Sequence, residues 1–145
     1  MNVRMVVGAL AMMCLLALPA YGGGKGQLQK YFSDAAAQVK ATDNPSEKRH
    51  ILDESFRTMS RALEMVQDSP LMSTEDGVAT RRLRERLQEQ QDELAGSNGY
   101  TRVTDARLNA FSDYVVQDME QADQVVTISV VTLLLILIVV ILLVR

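Results

Sequence analysis

From Val125 to Val144 the chain runs through twenty residues without a charge, VVTISVVTLLLILIVVILLV, and Arg145 follows. Seventeen of the twenty are Val, Ile or Leu, so the stretch has no polar face to offer water. As a helix rising 1.5 Å per residue it is about 30 Å long, which matches the hydrocarbon core of a bilayer. Many of these residues are β-branched and favour strands in water. Lipid, however, supplies no hydrogen-bond partners to the backbone, so a lone spanning segment has to be helical. At roughly 0.3–0.6 kcal/mol per aliphatic residue near the helix centre, insertion outweighs the polar Thr127, Ser129 and Thr132. The competing arrangement is a buried core helix, which a domain this small is poorly able to surround. The expectation is therefore a C-terminal transmembrane helix at 125–144, with Arg145 as its cytoplasmic end.

The other terminus decides the orientation. Met1 to Arg4 carries one positive charge, Met5 to Leu18 is apolar and uncharged, and Pro19, Ala20, Tyr21 and Gly22 form a small-residue exit. Together these read as a secretory signal peptide, 1–22. Residues 23–124 are then carried across the membrane, and the protein is single-pass, C-terminally anchored and extracytoplasmic, in the periplasm if the source is bacterial. Asp118, Glu120 and Asp123 before the span and Arg145 after it agree with the positive-inside rule. The only cysteine, Cys14, lies inside the signal, so the processed chain has no thiol and no disulfide. The net charge of −3 argues against nucleic acid as a partner.

Three clusters of turn-forming residues divide the intervening region: Thr42-Asp43-Asn44-Pro45, Asp68-Ser69-Pro70 and Gly96-Ser97-Asn98-Gly99. Asn44 with Pro45 and Glu47 is a helix start, as is Ser73 with Asp76, and Gly96 is a stop. A third start is expected near Thr101, with Asp105 in the first turn. Between these marks apolar residues recur at steps of three and four. The stripes are Leu28, Phe32, Ala35 and Val39; Leu52, Phe56, Met59, Leu63 and Val66; Leu83, Leu87, Gln90 and Leu94; and Leu108, Phe111, Val115, Met119 and Ala122. Four helices with short connections make an all-α fold, a small antiparallel up-down-up-down bundle at 23–124. No glycine or proline occurs between Tyr100 and Arg145, so the fourth helix is expected to run unbroken into the membrane helix as one rod.

The third segment is thin in apolar residues, and a bundle this lean gains from further burial. A protein partner or a second copy is expected to dock in coiled-coil fashion on the seams of segments three and four. The interface residues on this reading are Leu83, Leu87, Leu94, Leu108, Phe111, Val115 and Met119.

Motifs of chemistry are sparse. His50, the only histidine, stands beside Lys48 and Arg49 and reads as a surface residue, and no metal-ligand spacing occurs. Gly22-Gly23-Gly24-Lys25-Gly26 lacks the hydroxyl residue and the preceding strand of a phosphate loop, and reads as a spacer. Arg81, Arg82, Arg84 and Arg86 are followed by Glu85, Glu89, Asp92 and Glu93, which suggests pairing within one solvated helix. No enzymatic role and no cofactor are expected. In layout alone, the order of apolar N-terminus, helical bundle and final membrane helix resembles the sensing half of bacterial chemoreceptors. It departs from them in having no signalling module after Arg145. Two functions follow: an anchored helical domain that binds protein, or a module that senses a small ligand and acts on a membrane partner through its fourth helix.

Overall fold

The structure, a computed structural model, describes residues 27–125 and 130–144. The expected signal peptide and the junction at 126–129 lie outside the described residues. Within them are five α-helices and one 3-10 turn: α1 (Gln27–Ala41), α2 (Pro45–Gln67), α3 (Thr74–Ala95), the turn (Asp105–Arg107), α4 (Leu108–Val125) and α5 (Val130–Val144).

Local chemistry sets the boundaries. Asn44 is extended, and its side-chain oxygen accepts the N–H groups of Ser46 at 3.0 Å and Glu47 at 3.4 Å, satisfying donors that the first turn of α2 leaves open. Glu47 does not close the reciprocal half of a capping box, since its carboxylate accepts the Thr42 hydroxyl at 2.9 Å. Ser73 caps α3 by accepting the Asp76 N–H at 3.1 Å. Gly96 ends α3 in the left-handed region at φ +74°. A Cβ there would lie 2.7 Å from that of Arg102, so only glycine lets the chain turn back so closely.

The fourth bundle helix starts later than expected, at Leu108. Residues 101–104 have no regular structure, and Thr104 precedes the 3-10 turn without a side-chain cap. Arg49 of α2 holds this connection. Its Nη1 donates to the Leu94 carbonyl at 3.4 Å, and its Nη2 donates to the Val103 carbonyl and to Asp105 at 2.8 Å.

All four stripes face inward, and every residue named for them is buried. The rings of Phe32, Phe56 and Phe111 meet in series, at 5.9 and 6.4 Å between centroids, and join α1, α2 and α4. At one end Lys40 pairs with Asp113 and Lys48 donates to Asn109 at 2.7 Å. Close backbone approaches link α4 to α1, α1 to α2, and α2 to both α3 and α5.

The last helix departs from the expected rod. Among the described residues no helix is long and apolar enough to cross a membrane, and α5, with fifteen residues, measures about 22 Å. Its first turn lies at the start of α3, where the Thr132 hydroxyl donates to Asp76 Oδ2 at 2.8 Å. Its far end, Leu143 and Val144, still packs on the core. It therefore runs back along α2, antiparallel to it, and does not extend the axis of α4. Thr132, Ile136 and Val140, four residues apart, are buried on the inner face. The physical reason is that water drives a uniformly apolar helix to cover a face, and the nearest apolar stripe is on its own bundle.

Candidate functional site

The seven seam residues expected at a partner interface are all occupied by the chain itself. Leu83, Leu87 and Leu94 from α3 and Leu108, Phe111, Val115 and Met119 from α4 belong to one buried cluster. In the closed bundle these side chains are turned into its own core.

Between α3 and α4 long polar side chains also reach across. Gln90 interrupts the leucine seam of α3, and Asp118 stands next to Met119 on α4. Arg86 reaches across and grips Asp118 with two hydrogen bonds, Nε to Oδ2 at 2.7 Å and Nη2 to Oδ1 at 2.5 Å. Gln90 Nε2 donates to the same Oδ2 at 2.6 Å. Three donors on one nearly buried carboxylate satisfy it, as burial of a charge requires. The other amide atom, Gln90 Oε1, is buried and finds no partner among the described residues. The bond from Asp118 raises the affinity of Arg86 for its proton, against the opposing effect of burial. Burial, then the charges of Asp118 and Glu89, push Glu93 above the usual carboxylate range. Tyr114 is raised too, by burial first and then by Glu93 and Asp118.

The arginine cluster is thus divided between two uses. Arg86 serves this layer, and Arg84 donates to Gln67 Oε1 of α2 at 2.6 Å, so both bridge helices where pairing within α3 was expected. Arg81 and Arg82 are exposed. Positions flanking a seam, as Arg86 flanks Leu87 and Asp118 flanks Met119, are where interhelical pairs form in packed helices, and that is the signal the sequence offered. His50 is exposed on α2, and among the described residues no group of three or more His, Cys, Asp or Glu side chains is placed to hold a metal.

The remaining feature is apolar surface. On α5, Leu134, Ile138 and Leu142 form an outward stripe, each between 47 and 61 % exposed. No charged residue occurs in α5, and fourteen of its fifteen residues are Val, Ile or Leu. On the bundle, Met65, Leu71 and Val78 are exposed around the α2–α3 turn, and Tyr100 and Tyr114 elsewhere. No family model, no curated protein and no solved structure matches the chain.

Proposed function

We propose that this is a non-enzymatic, single-pass membrane protein. Its anchor is the Val125–Val144 segment that contains α5, and its helical bundle stands on the extracytoplasmic side, where it engages another protein or a second copy. The observation that carries the proposal is the α5 surface: a helix apolar all round, docked by one face and bare along the opposite one. Ile136 is fully buried and Val140 nearly so, and Leu135, Val139, Leu143 and Val144 pack in part on the core, so the bundle holds one face of α5. Transfer of the aliphatic residues of α5 into a bilayer offers about 4–8 kcal/mol. The bundle covers one face of α5, whereas a bilayer covers both at once. In lipid the Thr132 hydroxyl turns to a backbone carbonyl of its own helix. With the seams of α3 and α4 filled, the partner meets the polar outer faces of α2 and α3, which hold Arg57, Arg61, Arg81 and Arg82 among carboxylates.

Protease protection in sealed native vesicles, combined with crosslinking, tests the reading. The bundle is expected to be shielded from protease added on the cytoplasmic side and to crosslink to a protein neighbour. Cleavage at the exposed Lys40 from the cytoplasmic side, or a strict monomer with no neighbour, contradicts it.

A further inference from the structure

We infer that the α2–α3 turn is a second membrane contact, with Leu71 at its apex and Met65 and Val78 beside it lying in the interface between lipid headgroups and acyl chains. This rests on the anchor reading above. Exposed large apolar side chains on the bundle are concentrated at this turn: Met65 is two residues from the end of α2, Val78 is in the second turn of α3, and Leu71, the most exposed at 66 %, is between them. At about 1.5 Å per residue, all three fall within roughly 6 Å of the bundle's end. The tyrosines lie elsewhere, Tyr100 in the connection at the opposite end and Tyr114 in the second turn of α4.

This end is also where the anchor departs. The first turn of α5 is bonded to Asp76 in the first turn of α3, so a bilayer that takes α5 meets the bundle at the α2–α3 turn. The turn satisfies its own N–H groups. The Ser69 N–H goes to the Val66 carbonyl, Pro70 has none, the Leu71 N–H goes to the Ser69 hydroxyl, and the Met72 N–H goes to the Ser69 carbonyl. No N–H from 69 to 72 needs water, which lowers the cost of bringing an irregular backbone toward the headgroup region. Charge does not drive the contact. The exposed Arg61, Arg81 and Arg82 near this end are offset by exposed Glu64, Asp68 and Glu75, so a zwitterionic bilayer suffices.

The test uses the full-length chain with Cys14→Ser and Leu71→Cys, labelled with an environment-sensitive fluorophore, in phosphatidylcholine nanodiscs. Ser97→Cys, exposed at the opposite end, is the reference. The Leu71 probe should emit at shorter wavelength and lose intensity when a fraction of the lipid carries a headgroup-proximal doxyl quencher, while the Ser97 probe does neither. Water-like emission from position 71 in protein that alkali leaves in the disc overturns the second contact and spares the anchor. A shifted emission that lipid quenchers leave untouched points to a second copy at the turn and also overturns it. Release of the chain from the disc by alkali removes both.

Discussion

The four bundle helices and α5 are all helical and all partly buried, yet opposite kinds of information fold them. In α2 the apolar residues occupy one side, Phe56 and Met59 within and Arg57 and Arg61 without, so the pattern states which face meets the core. In α5 every side is apolar. Thr132, Ile136 and Val140 face inward and Leu134, Ile138 and Leu142 outward, with little to distinguish the two sets chemically. A patterned helix carries its own burial instructions, whereas a uniform one takes them from its surroundings.

The largest effect should separate the two regions most clearly. Phe56 is fully buried and touches the rings of Phe32 and Phe111. Phe56→Ala is expected to cost about 3–5 kcal/mol in urea unfolding, because the cavity opens at the meeting of three helices. A loss under 1 kcal/mol would show that the bundle packs loosely there. The counterpart in α5 is Ile138→Lys, on the exposed stripe. The ammonium reaches water in the docked form, so unfolding should be nearly unchanged, while membrane insertion loses about 3 kcal/mol and the membrane-bound fraction falls. A large change in unfolding with no change in partitioning would make α5 an ordinary core helix.

Two smaller substitutions probe the bundle's own devices. Gly96→Ala sets a side chain into left-handed backbone and against Arg102, and should cost about 1–3 kcal/mol by thermal unfolding. Glu93→Gln should act weakly and with a pH signature. Glu93 has a raised pKa in the folded state, so its contribution is most favourable at acid pH and is lost as pH rises through that pKa. The variant should be slightly more stable than the parent at neutral pH, and the gain should vanish as pH falls through the ordinary carboxylate range. A gain independent of pH would show that the carboxylate is not desolvated.

Much of the bundle was legible because its physics is periodic. Leu52, Phe56, Met59, Leu63 and Val66 announce their face by spacing alone, and Asn44, Ser73 and Gly96 announce ends by local chemistry. Less was legible where contacts depend on distant chain. Nothing near Arg49 says that its guanidinium will gather Leu94, Val103 and Asp105, and without that the start of α4 is placed too early, near Thr101. The seam residues of α3 and α4 were readable as buried, but not what buries them: spacing identifies an apolar face and is silent on whether its cover comes from the same chain. The folding back of α5 was the least legible, for the same reason that makes its environment decisive.

Extraction of native membranes with alkaline carbonate tests that point most directly. An anchored chain stays in the pellet at full length and leaves only with detergent. A chain whose α5 belongs permanently to its own bundle would appear in the supernatant, and that result would contradict the membrane role assigned to Val125–Val144.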